Sequence, residues 1–319
     1  MMVTGGAGFI GSSVIRELNQ RGVDNILVVD NLGESAKWKN LVGKKFADLI
    51  HKADLFDWLS VHGKEIDSII HLGACSDTVE KDANYLLENN YRYSRCLAEF
   101  AFTHQVRFIY ASSAATYGDG SRGFSDAHEG LESLEPLNMY GYSKHLFDLW
   151  LYRNGMLDQV SGMKYFNVFG PNEWHKGRMA SAILRMVPEV KVKKTISLFA
   201  SCHPSYKDGE QLRDFIYVKD VAAITCDLLD SAPCGIVNVG TGKPSSWNDL
   251  ARAVFRALSI DEKIEYIPMP EDLQGKYQYF TKAETEKLET VLEKKPSSYS
   301  LDSAVNDYIN QHLVLEKPW

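Results

Sequence analysis

The stretch "TGGAGFIG", residues 4–11, decides how the rest of the chain is read. Gly5, Gly8 and Gly11 stand three apart, and Gly6, Gly8 and Gly11 give an overlapping G-x-G-x-x-G register. Ahead of it lies only the short β-rich run "MMV". Behind it "FIGSSVIRELNQRG" is apolar at helical spacing and stops at Gly22. Glycine here permits a tight turn, lets backbone approach a diphosphate and allows helix to pack closely on strand, while the helix N-terminus favours an anion. A glycine trio is also an ordinary turn. Its place between strand and helix, and the next strand "NILVVD" ending on Asp30, favour a dinucleotide.

Outward from that turn the pattern continues as strand, helix, strand. The strands "SIIHLGA", "RFIYASS" and "GMKYFNVFG" alternate with a long helix through "NYLLENNYRYSRCLAEFAFTHQ" and another beginning near Tyr140. Runs apolar on both faces predict a parallel sheet covered on both sides, hence an α/β fold of the doubly wound Rossmann type. Its ligands belong at the carboxyl ends of the strands. Residues 1–170 are expected to form this dinucleotide-binding domain. Residues 171–319 should form a smaller mixed α/β substrate lobe, with segments near 214–242, "RDFIYV" and "GIVNVG", returning to the main sheet.

The chain has 319 residues, 45% hydrophobic and 24% charged, with net charge −7. That is an ordinary globular composition, and the acidic balance disfavours nucleic acid. No apolar run approaches the length of a membrane span, and no signal peptide is visible. Five scattered cysteines form neither C-x-x-C nor a zinc spacing, so no metal is expected and a reducing cytoplasm is the expected address.

Asp30 is placed to hydrogen-bond an adenosine ribose, which argues for NAD. Asn31 follows it, and Lys37, Lys39 and Lys52 lie nearby in sequence, where they could neutralise a 2′-phosphate. From the residues, NAD and NADP both stay open.

"MYGYSK", residues 139–144, offers two tyrosines and a lysine. On a helix Tyr140 and Lys144 share a face, and Tyr142 points away. A phenol with a pKa of about 10 is ionised roughly once in a thousand at pH 7, a handicap of about 4 kcal/mol. A neighbouring ammonium and a positively charged nicotinamide would lower it. Tyr and Lys four apart on a helix are common by chance. Here, however, "YASSAATYG" puts Ser112 and Ser113 at the end of the preceding strand, and a serine there can bond the same reacting oxygen.

These residues resemble the extended short-chain dehydrogenase/reductase family, in its nucleotide-sugar branch. The resemblance runs through "TGGAGFIG", "HLGA", "SSAATYG", "YGYSK", "YFNVFGP", "LRDFIYVKDVA" and "NVGTGKPSSWNDLA". It implies hydride exchange between a sugar carbinol and a held nicotinamide, with Tyr140 as acid/base, Ser113 as its assistant and Lys144 beside them. Ala114 and Ala115 stand where a 4,6-dehydratase would carry Asp-Glu, which argues against dehydration. Lys176, in "PNEWHKGRMAS", is an additional basic group near the expected substrate. With "LGACS", "ENNYRYS", "YGYSKHLFD" and "GKYQYFT" it is similar to the ADP-heptose 6-epimerase family.

That family inverts the exocyclic C6 of an ADP-linked heptose for the lipopolysaccharide inner core, binds NADP, and pairs the tyrosine with the "HKG" lysine as acid/base groups. Carried over by position, Gly5, Gly8, Phe9, Ile10, Gly11, Asp30, Asn31, Lys37, Lys52, Leu72, Gly73, Ala74, Cys75, Ser76, Asn89, Lys144 and Val168 would line the dinucleotide. Ser113, Asn167, Phe199, Ala200, Ser201, Arg213 and Tyr277 would hold the nucleotide sugar, Arg213 through its diphosphate. Leu72 replaces a frequent Glu, while Arg178 and Arg185 are departures that could touch an anionic substrate. The resemblance also implies a homo-oligomer, a pentamer in its best-known members. A UDP-hexose 4-epimerase, a net sugar-nucleotide dehydrogenase and a non-catalytic nicotinamide-binding regulator are the rival readings.

Overall fold

Six runs of the first half become strands β1 (Met2–Thr4), β2 (Leu27–Asp30), β3 (Asp48–His51), β4 (Ser68–His71), β5 (Arg107–Ser113) and β6 (Val160–Tyr165). In the computed structural model, which describes residues 1–271 and 277–319, they join the later strand Gly235–Val239 in one sheet. The order is Gly235–Val239, β6, β5, β4, β1, β2, β3, with every neighbouring pair parallel. Chain order reverses between β1 and β4, so the crevice for a ligand opens above those two strands.

The strands are apolar on both faces because both faces are covered. Met2, Val29, Ile69 and Phe108 enter one core with Leu97 and Ala98. Their neighbours Val3, Val28 and Ile70 point the other way, against Val14, Ile15 and Leu18 of helix α1 (Phe9–Gln20). That is the period-two alternation of a strand with a core on each side. The edge strand β3 is exposed or half-buried throughout.

The expected single strand "GMKYFNVFG" is divided. After Tyr165 the amide of Val168 donates to the Phe166 carbonyl at 2.9 Å, a tight bend that ends β6. Asn167–Phe169 then pairs in parallel with Phe215–Tyr217 in a separate two-stranded sheet. The expectation that "RDFIYV" returns to the main sheet is thereby corrected, whereas "GIVNVG" supplies the seventh strand. Outside the main sheet, the helices Ala182–Lys193, Trp247–Leu258 and Leu301–Asp307 bury Ile183, Val187, Val254 and Val305 in a second core. Among the described residues no helix is long and apolar enough to cross a membrane.

Candidate functional site

Two glycines of the first turn admit no side chain. Gly5 has φ +67°, and a Cβ there would lie 2.7 Å from the Gly73 amide nitrogen; one on Gly11 would lie 2.1 Å from the Gly5 carbonyl oxygen. The N-cap of α1 is Gly8, which offers no capping side chain, so its first amides are free to face an anion. This is a cradle that a Cβ would fill, and it fits a diphosphate.

Asp30 ends β2 almost fully buried. Its Oδ2 accepts the Ala7 amide at 2.8 Å and its Oδ1 lies 2.5 Å from the Lys37 ammonium. Lys52 is held down by burial, with Asp30 favouring its charge and Lys37 opposing it, and it donates to the Asn89 side chain. Two ammonium groups thus flank the carboxylate. Asn31 is exposed beside it.

Leu72, Gly73, Ala74 and Cys75 follow β4 half-buried, with Ser76 exposed. Asn90 holds this loop: it accepts the Cys75 amide at 2.8 Å, donates to the Cys75 carbonyl at 2.9 Å, and reaches Ser143 Oγ at 3.0 Å. It sits in a π-helical turn, Leu87–Arg92, the kind of helix irregularity often found at functional sites. His71 below the loop lies between Thr4 Oγ1 at 2.6 Å and Ser94 Oγ at 2.8 Å. Burial, aided by Lys144, pushes its pKa down to about 3.

The helix Met139–Arg153 starts where Asn138 Oδ1 accepts the Gly141 amide at 2.8 Å. Tyr140 comes next, half-buried and near the Ser113 hydroxyl at the end of β5. Tyr142 is 45% exposed, on the opposite side as its angle requires. Lys144 is buried and donates to the Ala111 carbonyl at 2.8 Å. Burial brings its pKa down to about 8, with Asp148 opposing. The expected lowering of Tyr140 by this ammonium is not found in the protein alone. Burial raises the phenol, the neighbouring Ser113 hydroxyl lowers it less, and the thiol of Cys75 adds to the rise.

Lys176 lies in the turn Trp174–Met179, whose Gly177 has φ +53°. Its amide donates to the Glu173 carbonyl at 2.9 Å, and its ammonium stands 5.4 Å from the centre of the Phe9 ring. Burial lowers its pKa, and Glu173 works the other way. Asn40 fastens this turn to the glycine turn through Ala7 O at 3.0 Å, Asn172 O at 3.0 Å and the His175 ring at 3.3 Å. Lys176 therefore sits over the start of α1.

Residues 1–240 match the model of the NAD dependent epimerase/dehydratase family. An ADP-L-glycero-D-manno-heptose-6-epimerase of Nitratidesulfovibrio vulgaris (strain DP4) is 51% identical, covering 100% of this chain and 99% of its own. One from Fusobacterium nucleatum is 44% identical over 99% of this chain and 98% of its own. The chain belongs to the ADP-L-glycero-D-manno-heptose-6-epimerase family. The crystal structure of the Helicobacter pylori ADP-L-glycero-D-manno-heptose-6-epimerase superposes with TM-score 0.81 at 28% identity, over 97% of this chain and 94% of that one. A Thermotoga maritima UDP-glucose 4-epimerase, 22% identical with TM-score 0.80 over 99% of each chain, shares the fold.

In this epimerase-family chain the expected substrate residues are spread across the second lobe. Asn167 is exposed and accepts a bond from Thr281, and Val168 beside it is half-buried. Phe199, Ala200 and Ser201 are half-buried at the end of Ile196–Phe199, the Ser201 amide donating to Asp208 at 2.7 Å. Arg213 is buried, donates to the carbonyls of Leu212 and Gln278, and lies 5.0 Å from the Tyr277 ring. Part of its expected diphosphate fork is thus already engaged with backbone. Two residues of "GKYQYFT", Gly275 and Lys276, lie outside the described residues.

Arg178 is largely exposed and pairs with Asp77 at 2.6 Å; Arg185 is on the exposed side of Ala182–Lys193. Residues that sequence reading missed are Asn40, His71 and Asn90, whose polar side chains are buried without an ordinary core role. "ENNYRYS" and "HLGA" were visible as motifs, yet nothing in their spacing told which atom would hold which loop.

Proposed function

We propose that this chain inverts C6 of an ADP-linked glycero-manno-heptose, D to L, by oxidising that carbinol and reducing it again from the opposite side, and so serves the lipopolysaccharide inner core. The observation that carries the chemistry is the placement of Tyr140 beside Ser113 at the carboxyl end of β5, with Lys144 one helical turn along. The full-length likeness to named 6-epimerases supports the choice of sugar.

When bound, the nicotinamide supplies the hydride acceptor and a positive charge that favours the phenolate. Tyr140 then takes the carbinol proton and Ser113 holds the same oxygen. Lys144 lends positive charge from the same helix face. Burial, which raises the phenol above its ordinary value, keeps Tyr140 protonated until the nicotinamide charge is present. Lys176, whose ammonium burial already weakens, serves the second orientation of the C6 ketone. One base thereby works on each face without moving the nucleotide. Lys37 and Lys52 around Asp30 favour NADP, because two cations can neutralise a 2′-phosphate beside one carboxylate. The reading includes homo-oligomeric assembly, as a pentamer.

The test is incubation of purified protein with ADP-D-glycero-D-manno-heptose and, separately, UDP-glucose, following the C6 and C4 stereocentres by NMR. Inversion at C6, abolished in Tyr140→Phe with cofactor still bound, is the expected result. Inversion at C4 of the hexose with heptose untouched would overturn the assignment. Mass spectrometry of nucleotide released on denaturation distinguishes NADP from NAD.

A further inference from the structure

Beneath the Tyr140–Lys144 face lies a second group of charges that the reaction above does not use. Asp148, one turn beyond Lys144, is fully buried. Its Oδ1 accepts the Tyr110 hydroxyl at 2.9 Å and its Oδ2 accepts Ser112 Oγ at 2.7 Å. Both donors come from β5, on either side of Ala111, the residue whose carbonyl receives Lys144. Ser112 directly precedes Ser113. One carboxylate on the helix thus grips the two β5 residues that alternate with the two facing the candidate site.

Behind it stands Lys164 of β6, opposite Ser112 in the sheet register and also fully buried. Its ammonium lies 3.8 Å from Asp148 Oδ2, beyond hydrogen-bond length, and 4.3 Å from the centre of the Tyr117 ring. Among the described residues it has no hydrogen-bond partner. An ammonium buried in this way is costly unless a neighbouring charge requires it. An apolar residue would fill the position at less cost if packing were all that mattered.

We propose that Asp148, backed by Lys164, is a positioning residue for the Tyr140–Ser113–Lys144 group. It fixes the end of β5 against the catalytic helix and keeps the Lys144 ammonium charged. The inference rests on the function proposed above. Its electrostatic part has support in the surroundings of Lys144: burial lowers that lysine to about 8, and Asp148 opposes the fall more strongly than Cys75 does. His71 from β4 also faces Lys144. Around Asp148 stand Tyr110 of β5, Lys164 of β6, His128, and His145 of its own helix, while Asp126 faces Lys164 and Tyr117.

The experiment compares Asp148→Asn, Lys164→Met and the double variant with the parent. Readouts are the pH profile of kcat, KM, thermal unfolding, and the side-chain 15N titration of Lys144. Asp148→Asn removes the group that favours the ammonium, so Lys144 should lose its proton at lower pH. The alkaline limb of kcat should move down by about one unit, with kcat at neutral pH reduced at least tenfold and KM within about threefold. The double variant should unfold at a higher temperature than Lys164→Met, since no buried carboxylate is left unpaired, yet keep the shifted limb. Unfolding changes in Asp148→Asn with parental pH profile and parental Lys144 titration would overturn the proposal, leaving Asp148 a structural residue. Because the 15N titration needs no turnover, a chain that fails to epimerise heptose would sink the functional reading without deciding this one.

Discussion

The Asp30 carboxylate receives the Ala7 amide at 2.8 Å, so the residue that ends β2 also holds the glycine turn of β1 in place. Its other oxygen is joined to Lys37. Asp30 is therefore both a brace for the phosphate turn and one half of the ion pair that would meet the adenosine ribose.

Asp30→Asn separates those duties. The amide keeps an acceptor for Ala7 but removes the charge, leaving Lys37 and Lys52 unopposed. NADP affinity should stay level or rise, while NAD affinity falls about tenfold, roughly 1.4 kcal/mol. Fluorescence titration with each nucleotide measures the ratio. An unchanged ratio would mean the carboxylate does not reach the ribose.

Gly11→Ala tests the cradle itself. The new Cβ would meet the Gly5 carbonyl oxygen at 2.1 Å, backbone against backbone, with no side chain able to yield. The turn must open, at a cost of about 1–3 kcal/mol, and dinucleotide affinity should fall by more than tenfold. Denaturant unfolding together with nucleotide titration checks both effects; parental values in each would show that the turn has slack.

Much of this site was legible in the sequence because its signals are local. The glycine spacing, the VVD ending and the helical angle between Tyr140, Tyr142 and Lys144 need few residues, and the structure places the tyrosine and lysine as the angle required. What was not legible depends on atoms distant in sequence. Asn90 reaches back to Cys75 and forward to Ser143, and Asn40 bonds Asn172 across the fold. Neither has a spacing rule. The bend after Tyr165 was missed because "YFNVFG" is equally apolar throughout, and the register that divides it is set by the carbonyls of Val239 and Asp214. Burial, which raises the Tyr140 phenol in the protein alone, is likewise set by atoms distant in sequence.

His71 should make stability fall in mild acid. Its pKa of about 3 in the folded protein lies below the ordinary value, chiefly through burial and then through Lys144. The unfolded chain therefore takes up a proton first as pH drops. Stability contributed by the neutral ring is present above about pH 6.5 and is lost toward pH 3, at up to about 1.4 kcal/mol per pH unit. In His71→Asn that component disappears. The stability gap between parent and variant, followed by urea unfolding from pH 7 to pH 5, should narrow; a constant gap would show that the ring does not titrate differently on folding.

Lys176→Met decides whether one base or two run the reaction. Lys176 lies over Phe9 at the start of α1, a different element from the helix that carries Tyr140. With two bases, the variant still lets Tyr140 act on one orientation of the sugar, so mixing with one C6 epimer should still give the absorbance of reduced nicotinamide. Completion from the other face would be lost, and net epimerisation should fall about 10²- to 10⁴-fold, the usual contribution of a general acid or base. Tyr140→Phe should lower both half-reactions alike for the epimer it serves. A Lys176→Met enzyme that inverts C6 near the parental rate would mean that Tyr140 serves both faces and the ketone must turn in the site, even though the family assignment would stand.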